Sequence, residues 1–255
     1  VLFAVAQIFK PWELVMESSK NSNTDVKRVV VVPFRNQTGD PSLDPLGKMV
    51  VDWTTQSLLS TGLAEVVPPE VLSDLEASKG VRSVVDATGA STIVTGSYYK
   101  LGDSIQFQAQ ISNAEDKLLQ AIEPVNSSRL EVMNGIELVR QRVLGALTFV
   151  LDVRLKGWAS RMSSPPTYEA YQQYMQGLEF FDRLDYVTAI KHFTKAFALD
   201  TTFNLPSLWS MPAYWNLYQP AQEDSLIKFF DLRRDQLPEY QKLMLDGNKA
   251  EVAGD

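Results

Sequence analysis

His192 is the only histidine in a chain of 255 residues, and there is no cysteine. Those two facts remove most of the chemistry that side chains perform. Without thiols there is no thiolate nucleophile, no disulfide and no cysteine-held zinc or iron–sulfur centre. A lone imidazole allows no histidine-rich metal site, and any Ser-His-Asp arrangement would have to use it. Neither a second histidine nor a carboxylate stands four residues from His192, so it reads as a solvated or groove-lining side chain. The stretch from Val29 to Lys48 has the grammar of a nucleotide loop: four valines, Pro33-Phe34, then Asn36, Gly39, Asp40 and Pro41, then a helical pattern. A phosphate loop needs several glycines whose amides cradle the anion. Here there is one glycine in the loop proper, and Asp40 and Asp44 would repel phosphate. Asn36, Thr38 and Asp40 are instead expected to form a turn and a helix cap. As a cation site, Asp40 and Asp44 lack the alternating ligands and closing glutamate of an EF-hand. No nucleophile–base pair or metal set stands out, so the chain is expected to be non-enzymatic, with no cofactor.

Aromatic residues supply the remaining candidates. Tyr168, Tyr171, Tyr174, Phe180 and Phe181 recur at helical spacing and read as core. Trp209, Tyr214, Trp215 and Tyr218 form a denser cluster broken by Pro206 and Pro212. Two prolines within one helix would bend it and expose aromatics that regular packing would bury. Because Trp and Tyr anchor interfaces, these four residues are the expected partner-binding set.

The charge balance narrows the partner. Against 24 basic side chains stand 31 acidic ones, a formal net charge of −7. Such a chain has no general attraction to nucleic acid, and its longest basic runs are Lys27-Arg28 and Arg233-Arg234. The expected partner is therefore protein rather than nucleic acid. At the N-terminus, VLFAVAQIF is too short to cross a bilayer, for which about 20 apolar residues are needed. It is followed by Lys10-Pro11-Trp12, residues of the kind found at a membrane–water boundary. Residues 1–15 are thus expected to be the end of a membrane span or an interfacial helix, with Phe3, Ile8, Phe9 and Trp12 as the anchor. Residues 16–26 are polar and read as a linker.

The elements that position these groups fall into two regions. Residues 27–156 show two βα units and then a meander, an α/β (α+β) domain with a small mixed sheet. The valine run predicts a strand covered on both faces. Ile105, Phe107, Ala109 and Ile111 alternate with Gln106, Gln108 and Gln110, which predicts a strand with one wet face, and residues 117–125 a third strand of the meander. Ser163-Ser-Pro-Pro166 marks a boundary. Residues 167–255 show only helical patterning. Within them Gly177, Phe180, Ala189, Phe193 and Ala196 stand at the spacings of the 34-residue tetratricopeptide unit, where a glycine and small alanines let two helices approach. Gln173 and Thr201 depart from that pattern, replacing its tryptophan and proline. A weaker second unit at 205–234 and the start of a third at 238–255 are expected.

The stretch VVVVPFRNQTGDPSLDPLGKMVVDWTTQSLLSTGLAEVV resembles the opening of the TolB-like amino-terminal domain that precedes tetratricopeptide repeats in bacterial signalling proteins. TGASTIVTGS, LGDSIQFQAQIS and LPEYQKLMLDGNKAEVAGD are similar to later motifs of the same arrangement. The resemblance implies a non-enzymatic scaffold or interaction module, membrane-tethered on the extracytoplasmic (periplasmic) side, acting as an accessory or stabilising subunit of a larger membrane complex. It equally implies an alternative, the sensory portion of an adenylate cyclase, protein kinase or winged-helix regulator. The absence of cysteine fits an oxidising compartment.

Overall fold

The computed structural model describes residues 27–72, 80–151 and 164–253. The expected membrane segment with Phe3, Ile8, Phe9 and Trp12, the linker at 16–26 and Ser163 lie outside the described residues. The strands are β1 (Arg28–Val31), β2 (Arg35–Asn36), β3 (Glu65–Val66), β4 (Thr92–Leu101), β5 (Ser104–Asn113) and β6 (Leu118–Ser128). The first helices are α1 (Pro45–Thr61), α2 (Val81–Thr88) and α3 (Val132–Leu151). Together the strands make one mixed sheet of order β3-β1-β4-β5-β6, with β2 pairing β4 beyond the end of β1. β1 is parallel to β3 and β4, whereas β4, β5 and β6 form an antiparallel meander.

The valine run is covered on both faces. Val29 and Val31 enter a core with Val50 and Leu58 of α1 and Ile136, Val139 and Val143 of α3. Val30 points the other way, into a smaller core with Ile93, Val67, Leu72 and Val84. A strand lacking alternation is what two apolar covers demand. β5 behaves as its alternation requires, with Ile105, Phe107 and Ile111 buried and Gln108 and Gln110 exposed.

β6 runs three residues past the expected Val125, ending at Ser128. The register explains the difference. Phe107 pairs with Val125 but Ala109 pairs with Ile122, so β6 carries one extra residue beside Pro124. Such a bulge accommodates a proline on an edge strand and lets pairing resume. Arg142 Nη1 donates to the carbonyls of both Glu123 and Pro124, at 3.0 and 3.1 Å, occupying groups that an open edge would offer to another strand.

Three of the quoted motifs turn out to be one contact. A Cβ on Gly96 would overlap the ring of Phe34, and a Cβ on Gly47 would overlap the carbonyl oxygen of Phe34. The proline-phenylalanine pair, the Leu46-Gly47 dipeptide and Gly96 therefore depend on each other through Phe34, which is 4% exposed. Gly96→Ala is expected to destabilise the protein by about 1–3 kcal/mol, as overpacking does. Combining it with Phe34→Leu should cost less than the sum of the two single changes in thermal or urea unfolding, because the smaller side chain makes room. Strict additivity would contradict the contact.

Beyond residue 164 the described residues contain helices and no strand: α4 (Tyr168–Asp182), α5 (Tyr186–Leu199), α6 (Leu205–Asn216), α7 (Pro220–Asp231) and α8 (Glu239–Ala253). A second core forms here from Tyr174, Ala189, Phe193, Ala196, Leu208, Ile227, Phe230 and Leu245. The two cores meet across α3. Phe149 of α3 belongs to the second core, while Tyr168 of α4 packs against the first. Gln141 of α3 donates to Glu169 Oε1 at 2.8 Å and accepts from the Glu169 amide at 3.2 Å, so its side chain serves the first turn of α4. A Cβ on Gly145 would overlap the carbonyl oxygen of Pro166, so the chain enters the helical region in direct contact with α3.

Candidate protein-interaction surface

The loop that resembles a phosphate site is occupied by its own hydrogen bonds. Asn36 Oδ1 accepts from the Thr38 amide at 2.9 Å, and Asn36 Nδ2 donates to the Asp40 carbonyl at 2.8 Å and to Asp44 Oδ1 at 2.7 Å. Asp40 Oδ1 accepts from the amide of Ser42 at 3.0 Å and from its hydroxyl at 2.6 Å, capping the 3-10 turn Pro41–Leu43. These bonds to Ser42, with Arg129 nearby, hold the Asp40 carboxyl below the usual carboxylate range. The polar atoms of the stretch close a turn, as the sequence reading holds.

His192 has a comparable structural part. Its Nδ1 lies 3.0 Å from Gln173 Oε1, and its ring stacks on Phe180 with centroids 5.3 Å apart. Gln173, which stands where the tetratricopeptide pattern has tryptophan, thus meets His192 across the α4–α5 pair. Among the described residues no group of three or more His, Asp or Glu is placed to hold a metal ion.

The helices repeat. α5 and α7 begin at Tyr186 and Pro220, and α6 and α8 at Leu205 and Glu239, each pair 34 residues apart. Backbone details recur at the same interval. The Asp185 amide donates to the Phe180 carbonyl, and the Gln219 amide to the Tyr214 carbonyl, both at 3.0 Å. Leu184 and Tyr218 occupy equivalent turns with φ of 63° and 56°. In the first hairpin Ala189, Phe193 and Ala196 are fully buried, and a Cβ on Gly177 would overlap the Phe193 ring. The residues read from spacing as packing positions are those that bring α4 and α5 together.

The aromatic cluster divides. Trp209 is 7% exposed and meets the Phe181 ring edge-on at 5.2 Å, so it joins α6 to the first hairpin and is not available to a partner. This corrects the expectation that the prolines would expose it. Pro206 lies in the first turn of α6, where its missing amide breaks no intrahelical bond, and only Pro212 is interior. α6 stays one helix, and the face carrying Trp209 remains inside. Tyr214 and Trp215 are half-buried, and Tyr218 is 92% exposed.

The structure adds Leu184, 70% exposed at the turn equivalent to that of Tyr218. A left-handed backbone ordinarily calls for glycine, and a bulky side chain there is strained. Both hairpins keep a large side chain at that turn and point it into solvent. The sequence signal was available: these are the turn positions of two units 34 residues apart, and neither is glycine or asparagine.

The fold and this surface define a two-part chain, a sheet domain and a stack of helical hairpins that carries exposed side chains on its turns. No family model matches it, and no curated protein does. Solved structures similar to parts of it include a lipoprotein from Neisseria meningitidis, at 15% identity over 45% of this chain and 94% of that one, with a TM-score of 0.34. TolB from Acinetobacter baumannii is similar at 19% identity over 49% of this chain, with a TM-score of 0.35, and the match spans 29% of TolB. The C-terminal domain of LpoB from Escherichia coli is similar at 14% identity over 46% of this chain and 94% of that one, with a TM-score of 0.33. Among the described residues no helix is long and apolar enough to cross a membrane.

Proposed function

We propose that the chain is a non-enzymatic scaffold: a TolB-like domain followed by tetratricopeptide repeats, tethered through residues 1–15 to the extracytoplasmic face of a membrane as an accessory subunit of a larger complex. The observation that carries this reading is the 34-residue recurrence of helix starts, turn geometry and hydrogen bonds from α4 to α8. Stacked hairpins of that kind make an extended surface suited to another protein's segment. The groups that could do chemistry are engaged elsewhere, Asp40 and Asn36 within a turn and His192 against Gln173 and Phe180. Tyr218 and Leu184, with Trp215 beside them in sequence, supply the contact.

Replacing both Leu184 and Tyr218 by glycine separates binding from stability. The backbone strain at each turn is relieved, so the melting temperature should hold or rise. Purified from native membranes, the variant should carry about tenfold less of the protein that accompanies the unaltered chain, the loss of an anchor worth more than 1 kcal/mol. Deleting residues 1–15 should move the chain to the soluble fraction. An undiminished partner in the double variant, or a deletion that remains with the membranes, would overturn the respective half of the proposal.

A further inference from the structure

Glu223 occupies, 34 residues on, the place that Ala189 fills in the first hairpin. At Ala189 a small side chain lets α4 and α5 close together. At Glu223 a carboxyl group is 0% exposed, and neither of its oxygens has a hydrogen-bond partner. It is carried by α7, which packs on α6 and α8. From α6 the only titratable group is Tyr214. From α8 the carboxylate of Glu251 faces it, and from its own helix that of Asp224. The cations of this region are engaged with other acids: Lys228 with Asp224, Lys249 with Asp231, Lys242 with Glu239 and Arg234 with Asp246. A buried carboxylate without a cation or a donor is strongly unfavourable when charged.

We propose that α8 is docked only while Glu223 is protonated, so that a rise in pH releases α8 from α6 and α7. Burial first, and then the negative charges of Glu251 and Asp224, push the Glu223 carboxyl up to about 7 from its ordinary 4.5. Burial raises that of Glu251 as well. The sign follows from linkage. Below 4.5 the group is neutral in the docked and released states alike, and docking is at its strongest. Between 4.5 and about 7 the released state gives up its proton while the docked state keeps it, so docking weakens steadily. Above about 7 both states are ionised and the loss is complete. Release would uncover Leu245, Ile227 and Phe230 of the second core.

Hydrogen exchange on the whole chain at pH 5 and pH 7.5, corrected for the intrinsic pH dependence of exchange, reads this directly. The amides of α8 should lose between about tenfold and about fifty-fold of their protection at the higher pH, while those of α4 and α5 keep theirs. Glu223→Gln and Glu223→Ala, the second restoring the residue type of the first hairpin, should make α8 protection independent of pH. If the glutamine variant does not fold, the alanine variant decides. Protection of α8 that is flat in the unaltered chain, or a pH response that survives in the folded variants, would overturn the proposal.

Discussion

Gly145→Ala uncouples the two cores. At that position of α3 an added methyl group would overlap the carbonyl oxygen of Pro166, a backbone atom that no rotamer change can move aside. Relief must come from shifting the start of α4 away from α3. That shift strains the two Gln141–Glu169 hydrogen bonds and withdraws Phe149 of α3 from the core it shares with Tyr174 and Phe193. The cost is about 1–3 kcal/mol or more, the range for overpacking a close contact. It falls on the contact between the cores rather than inside either. Thermal unfolding should therefore lose cooperativity, with the helical region melting earlier and the sheet domain close to its original temperature. A single transition at the original midpoint would mean that α3 does not couple them.

Ala189→Trp strikes the helical region from within. Ala189 is fully buried in the hairpin where Gly177 and Phe193 meet, with Ala196 two turns further along α5. An indole cannot be accommodated there without parting α4 from α5. The loss should be at least about 1–3 kcal/mol, and larger if the hairpin opens altogether. Near-ultraviolet circular dichroism should report it through Trp209, whose ring lies against Phe181. An unchanged melting temperature would show that the spacing of Gly177, Ala189, Phe193 and Ala196 has been read in the wrong register.

How far the structure can be read from sequence depends on whether a residue's partner is near it in the chain. The valine run, the alternation of β5 and the loop of Asn36, Thr38 and Asp40 are governed by local periodicity or local hydrogen bonds, and they were legible. The spacing of Gly177, Ala189, Phe193 and Ala196 was legible because a helical hairpin turns sequence distance into contact. Phe34, Gly47 and Gly96 were visible as motifs, but the reason for them is a three-way contact spanning 62 residues that no local pattern encodes. The extra residues of β6 were hidden because a bulge changes the parity of a strand. Trp209 was misread because proline was weighed as a bend, whereas at the first turn of α6 it fits the helix. Glu223 gave a signal that only a superposition of the two hairpins reveals: a carboxyl group where the first hairpin has a methyl.

The central claim, that the hairpin turns of the helical stack hold a protein partner, is tested most directly by a photo-crosslinking amino acid placed at Tyr218 of the full chain in its native membranes. A control carries it at Gln108, exposed on the sheet domain. The account predicts a single discrete adduct from the Tyr218 site, identified by mass spectrometry as one protein, and none of that adduct from the Gln108 site. Failure of the Tyr218 site to form an adduct, or the same adducts from both sites, would contradict it.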